Sequence, residues 1–144
     1  MNIISYRAAD KTAVLSIFDK NCPDFFAPNE RDDLIEFLEE YADGYRVCIH
    51  NDNVVGAFGL YEKENKDCRL QWILLDPSAQ GLGLGTQNMQ DVFNQASALN
   101  IKTIQIATSH VAFKFFEKHG AKIISEIENG WGPGMHQIHM EISL

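Results

Sequence analysis

Residues 80–85 read Gln80-Gly81-Leu82-Gly83-Leu84-Gly85, three glycines in strict alternation between an Asp76-Pro77 turn and a stretch of helical character. Glycine is a poor helix former and loses much backbone entropy on folding, so three together need a reason. An anion supplies one. The first N–H groups of a helix have no internal partner, the helix dipole adds partial positive charge there, and bare glycines let a phosphate approach those amides. Such a site needs no lysine. The formal charge of −8, from 20 acidic and 12 basic residues, is therefore no obstacle to it.

Other residue types offer less chemistry. His136 and His139 are three apart on an expected strand, where they face opposite sides, so no metal site is expected. Cys22 has no base beside it in sequence, and no G-x-S-x-G elbow occurs. Cys22, Cys48 and Cys68 are odd in number, far apart and without disulfide or zinc spacing, which reads as three reduced thiols. The acidic balance argues against a nucleic-acid backbone as partner, since phosphate binding of that kind needs a basic surface.

The elements that must hold the glycines in position follow from periodicity. The 144 residues, 45% hydrophobic and 22% charged, suit one compact domain over residues 1–144. No stretch approaches the ~18 uninterrupted apolar residues of a membrane span. The opening "MNIISYRAAD" lacks a signal-peptide pattern, so a cytoplasmic protein is expected.

A first strand, "NIISYRA", precedes a short helix with Val14, Leu15 and Phe18 on one face. After "NCPDFFAPN", Asn29 is the expected N-cap of a second helix with Leu34, Phe37, Leu38 and Tyr41 on its buried face. "YRVCIH" and "VVGAFGLYE" form a hairpin through "NDN", and "CRLQWILLD" follows through a polar turn at Asn65 to Asp67. Beyond the glycines come a helix striped by Met89, Val92, Phe93, Ala96 and Leu99, the strand "KTIQIAT", and a helix ending at Gly120. "AKIISEIE" and "MHQIHMEIS" are the last strands, around "NGWGPG". The order β-α-α-β-β-β-α-β-α-β-β predicts an α/β (α+β) fold: a mixed, mostly antiparallel sheet flanked by helices, with a β-α-β core holding the glycines.

Three kinds of glycine-rich phosphate loop are then separable. A Walker loop needs Lys-Ser/Thr after its last glycine, where this chain has Thr86-Gln87. A dinucleotide fingerprint needs G-x-G-x-x-G soon after a strand in parallel β-α-β units; here the spacing is G-x-G-x-G, with Asp76 to Gln80 intervening. Gln80 to Gly85 instead match Q/R-x-x-G-x-G/A, and the motif resembles the pyrophosphate signature of the GNAT family of acetyl-CoA-dependent N-acetyltransferases. Leu75-Asp76-Pro77 resembles that family's V-x-P strand end, and "AFKFFEKHG", residues 112–120, resembles its A-x-x-F-Y-E-K-x-G-F helix. The resemblance is strongest over residues 68–125, and the element order extends it along the chain.

The resemblance implies a fold and a reaction. The fourth and fifth strands would splay, with the pantetheine arm of acetyl-CoA hydrogen-bonded by the backbone of Ile73, Leu74 and Leu75. Gln80, Gly81, Leu82, Gly83, Leu84, Gly85 and Thr86 would hold the pyrophosphate, and Ser109 stands where many relatives carry a cofactor-binding asparagine. An amine would attack the thioester directly, which requires a base for the ammonium and profits from an acid for the leaving thiolate. The chain departs from the family at both: Phe116 replaces the helix tyrosine beside the cofactor, and the fourth strand offers Arg69 and Gln71 in place of a glutamate or histidine. Water, or groups such as Glu62, Ser109 and His110, are the remaining candidates for proton transfer.

By the same resemblance, "NCPDFFAPNERDD" and "NGWGPGMH" would build the acceptor side. Phe25, Phe26 and Trp131 then offer aromatic walls for a cation, with Asp24, Glu30 or Asp32 to pair it, or else pack as core with the acids in water. The expected activity is acetyl transfer from acetyl-CoA to a small-molecule amine or a peptide amine, with no membrane or nucleic-acid partner. An acyl-CoA-binding sensor is the alternative that the missing tyrosine supports, and a nucleic-acid-modifying acetyltransferase would need a basic face. A homodimer is compatible with such a fold, though no residue pattern establishes one.

Overall fold

The computed structural model describes residues 2–62 and 67–144, so the polar turn expected around Asn65 lies outside the described residues. The chain enters through β1 (Asn2–Ser5) and a 3₁₀ turn, then forms α1 (Lys11–Lys20) and α2 (Glu30–Glu40). An antiparallel run follows: β2 (Tyr45–His50), β3 (Asn53–Glu62) and β4 (Asp67–Leu75). It continues through α3 (Leu84–Ala98), β5 (Thr103–Ser109), α4 (Phe113–Lys118), β6 (Lys122–Gly132) and β7 (Met135–Ser143). The strands make a seven-stranded sheet in the order β1-β2-β3-β4-β5-β7-β6. β4 and β5 are parallel, and the other neighbouring pairs are antiparallel. This is the mixed, mostly antiparallel sheet that the order of elements predicts, with β4-α3-β5 as its β-α-β core.

Alternation along the strands divides the apolar residues between two faces. On one face, Met89, Val92 and Ala96 of α3 and Phe116 of α4 pack with Leu70, Ile104, Ile106, Ile138 and Met140. On the other, Val14, Ile17 and Phe18 of α1 and Leu34, Phe37 and Leu38 of α2 pack with Tyr45, Val47, Ala57 and Leu74. The β2–β3 hairpin turns at Asn51 and Asp52, both in the left-handed region at φ 50° and 63°, the conformation that Asn and Asp tolerate best. No helix among the described residues is long and apolar enough to cross a membrane.

Some expectations shift by a residue or more. Tyr41 and Leu99 follow the last turns of their helices and are exposed, because neither helix continues far enough to turn them inward. Ile17 is buried in α1, whereas Leu15 is only half-buried. β6 runs on through Trp131 to Gly132, so most of "NGWGPG" is strand, with a register slip between Ile127 and Gly132. Gly130 permits that approach: a Cβ there would lie 2.5 Å from Gln137 Cβ.

Candidate functional site

The cleft starts where two parallel strands stop pairing. β4 and β5 are in register from Asp67 opposite Thr103 to Leu70 opposite Ile106, and no pair joins them beyond. The cause lies in β4. Between Gln71, opposite Gly59, and Leu74, opposite Ala57, two residues of β4 face one of β3, a β-bulge at Trp72 and Ile73. A bulge bends and twists its strand, which turns the end of β4 away from β5. Trp72 sits there at φ 44°, a left-handed conformation unusual for a bulky residue. The buried Tyr45 hydroxyl donates to the Trp72 carbonyl oxygen, and Phe37 packs edge-on against the Tyr45 ring at 5.0 Å.

The opened wedge is a cleft of about 690 Å³. Ile73, Leu74 and Leu75 line one wall; Ala107, Thr108 and Ser109 line the other; Gln80, Gly81, Gly83, Leu84, Gly85 and Thr86 form its mouth. The mouth is anchored by Asp76. Its carboxylate accepts from Ser78 N at 2.9 Å, Ser78 Oγ at 2.8 Å and Lys20 Nζ at 2.9 Å, while its own N–H donates to Val55 O. Burial alone would push this carboxyl up, but the bonds from Lys20 and Ser78 outweigh it and hold it below its ordinary value.

The glycines do not all serve one purpose. Gly81 and Gly83 take φ 83° and 76°, and a Cβ on either would meet nothing within 4 Å. They are glycines for backbone reasons: they turn the loop so that α3 begins at Leu84 with its free N–H groups at the mouth. Gly85 lies in the ordinary helical region, and there a Cβ would stand 3.1 Å from the Phe115 ring. The expectation that all three simply clear a path for phosphate is therefore corrected at Gly85, which makes room for α4. Leu82 is 58% exposed and outside the cleft lining, whereas Leu84 is buried beneath the loop.

Two polar groups in the walls have no protein partner among the described residues. Ser109 Oγ and Asn88 Nδ2 are buried, unbonded and part of the cleft lining. Asn88 Oδ1 accepts from Cys48 Sγ at 3.1 Å, which fixes the amide with its NH₂ unspent. Buried polar groups are rarely left so, and a ligand with amide or hydroxyl groups along an extended arm would satisfy them. Phe116 is in the same wall, edge-on to Phe115 at 5.1 Å, with no proton to give.

The opposite end of the cleft is closed by segments distant in the chain. Trp131 of β6 donates its indole N–H to Thr108 O at 2.7 Å, and its carbonyl accepts from Asn29 Nδ2 at 2.7 Å. Asn29 precedes α2 but makes no side-chain cap; its amide is spent on the β6 backbone instead. Gly132 allows the contact, since a Cβ there would fall 2.3 Å from Asn29 Oδ1. Phe26 stacks on Trp72 at 6.3 Å and contacts Phe18 at 5.2 Å, so it is at once core and wall, while Phe25 is half-open to solvent.

Glu30 lies among these rings, 4% exposed, with Oε2 accepting from Ala27 N at 2.7 Å. Burial pushes its carboxyl up to about 7; the Ala27 bond opposes the rise and Asp33 adds to it. Asp24 and Asp32 are exposed and not part of the lining. Neither Glu62 nor His110 lines the cleft. Glu62 is exposed at the end of β3, opposite Cys68. His110 Nδ1 accepts from His136 N at 3.2 Å, with the two rings 4.5 Å apart. Trp72, Asn88 and Phe115 were not singled out from sequence as site residues. A tryptophan inside an apolar strand run gives no sign of a bulge, and Asn88 and Phe115 sit on helices whose packing partners are remote.

Comparison with known proteins agrees with this fold. Residues 13–121 match the model of the acetyltransferase (GNAT) family. The fold resembles an acetyltransferase of the GNAT family from Staphylococcus aureus Mu50, with TM-score 0.78, 20% identity, and 99% of this chain and 98% of that chain covered. It also resembles the ribosomal-protein-S18-alanine N-acetyltransferase of Escherichia coli, with TM-score 0.79, 15% identity, and 99% and 92% covered. A third likeness is an aminoglycoside 6'-N-acetyltransferase complexed with coenzyme A, with TM-score 0.75, 15% identity, and 99% and 97% covered. A search of curated proteins gave no match.

Proposed function

The chain belongs to the acetyltransferase (GNAT) family, and from that premise we propose that it is an enzyme carrying the acetyl group of acetyl-CoA directly to the primary amine of a small molecule. One observation carries the reading. The left-handed turns at Gly81 and Gly83 set a helix N-terminus at the mouth of a split sheet whose walls hold the unbonded Ser109 Oγ and Asn88 Nδ2. A phosphate-bearing ligand with a long amide-containing arm has the chemistry to fit both parts. The amides of Gly81 and of Gly83 to Thr86 would hold the pyrophosphate, and the backbone of Ile73 to Leu75 with Ser109 would hold the arm.

The acyl donor supplies a thioester carbonyl. The amine nitrogen bonds to that carbon, the C–S bond breaks with its electron pair going to sulfur, and an amide and a thiol result. The backbone N–H groups at the Trp72–Ile73 bulge are the proposed donors to the carbonyl oxygen as it gains charge. Phe116 cannot protonate the sulfur, so that proton comes from the amine itself, from water or through Ser109. The proposed setting is the cytoplasm, which suits three free cysteines.

Thermal unfolding with acetyl-CoA, with NADH and ATP as controls, tests the assignment. At a hundred times its dissociation constant a ligand adds ~2.7 kcal/mol, a rise of roughly 5–10 °C at this size. Stabilisation by acetyl-CoA and thiol release with an amine panel support the enzyme. Stabilisation without any release supports an acyl-CoA sensor, the reading that Phe116 favours. Stabilisation by NADH or ATP in place of acetyl-CoA would falsify the proposal.

A further inference from the structure

Resting on the acyl-transfer reading of the cleft, we propose that Glu30 is the proton acceptor for the amine, and that it selects an acceptor with one cationic head on an apolar body. The cleft-lining residues that carry charge are Glu30, Arg69 and Lys118. One acid thus faces an attacking nitrogen, and a second cationic group on the acceptor would find no other carboxylate in the described lining. Phe25, Phe26, Trp72 and Trp131 line the same end of the cleft as Glu30, which suits an apolar body and a cation against ring faces.

The carboxylate is held for the purpose. Its Oε2 is fixed by Ala27 N, and Oε1 has no hydrogen-bond partner among the described residues. The groups that act on it electrostatically are few. Asp33 stands one turn along α2, and Cys22 in the preceding loop feels Glu30 in turn. Of the described residues that β4 and β6 bring to the lining, Arg69 alone carries charge, and it is not among the groups that shift Glu30. Burial is therefore the main influence on its proton affinity, which lies nearer neutrality than that of an ordinary carboxylate.

The step balances without a further reactant. Glu30 takes one N–H proton from the ammonium and becomes the carboxylic acid. The freed lone pair forms the N–C bond, the C–S pair leaves with sulfur, and a second nitrogen proton passes to the thiolate. Glu30 returns its proton to water. Ammonium and thioester have become amide, thiol and one proton.

The experiment uses 2-phenylethylamine as probe and 2-phenylethanol as its uncharged counterpart, with the wild type, Glu30→Gln and Glu30→Asp. Thermal stabilisation by acetyl-CoA is expected to be equal in all three. At pH 8 the amine should stabilise the wild type but not Glu30→Gln, while the alcohol treats them alike. In thiol-release assays the wild-type kcat/KM should rise with pH along an acid limb near 7. Glu30→Gln should lose that limb, fall ~100-fold at pH 7, and recover toward wild type as the pH approaches the amine's own pKa, where free amine needs no base. Glu30→Asp should restore part of the rate. An unchanged profile in Glu30→Gln, or no amine stabilisation of a wild type that acetyl-CoA does stabilise, overturns the inference. A wild type that acetyl-CoA fails to stabilise overturns the acyl-transfer reading instead.

Discussion

Glu30→Gln also has a consequence for stability that needs no substrate. In the folded chain burial lifts the Glu30 carboxyl from an ordinary 4.5 to about 7. A raised carboxyl pKa means that the folded state binds a proton more tightly than the unfolded chain between those values. Glu30 therefore disfavours folding increasingly as pH rises through that window, and the loss is complete above the folded pKa. At roughly 1.4 kcal/mol per pH unit, the penalty at pH 8 is on the order of 3 kcal/mol. Glutamine keeps an oxygen for the Ala27 N–H and carries no charge to bury. Urea unfolding of both proteins from pH 4.5 to 8.5 should show Glu30→Gln gaining on the wild type across the window, by about 3 kcal/mol at the top and nothing at the bottom. The difference between the two cancels the other carboxylates. A stability difference that does not vary with pH would refute the argument, because the linkage disappears only when Glu30 has the same proton affinity in the folded and unfolded states.

Other substitutions test the geometry around it. Gly83→Ala forces a Cβ into a left-handed turn and should cost about 1–2 kcal/mol in urea unfolding, with weakened acetyl-CoA binding by calorimetry. Gly85→Ala has no such strain, and its gain in helix propensity of up to about 1 kcal/mol offsets the crowding of Phe115. Its stability should stay near wild type while its acetyl-CoA affinity falls as Phe115 moves. Trp131→Phe removes the indole donor from Thr108 O, which should cost ~1 kcal/mol and raise the amine KM more than it lowers kcat. The Cys48 and Cys68 thiols, pushed by burial to about 12 and about 11, should resist alkylation at pH 8 until the chain unfolds, with half-exposed Cys22 reacting first. Mass spectrometry of trapped adducts reads the order.

Much of this architecture is local and so was written in the sequence. The order of elements follows from apolar period and turn residues, and the Asp76-Pro77 turn, alternating glycines and helix start mark the mouth of the cleft. Backbone conformation at Gly81 and Gly83 depends on a few neighbouring residues, so it is legible at that range. The features that turn the cleft into a chemical site are different in kind. Trp72 enters its bulge because β3 and β4 meet out of step and because Tyr45, 27 residues away, holds its carbonyl. Asn29 leaves its capping role for Trp131, 102 residues on. Gly85 answers to Phe115 on another helix, and Glu30 becomes a near-neutral acid only because loop, helix and strand exclude water from it together. Residue type and spacing determined the scaffold and the glycine turn at the mouth of its cleft. The proton affinity of Glu30 and the closure of the far end of the cleft were decided by desolvation and contacts between segments far apart in the chain, which only the tertiary structure brings together.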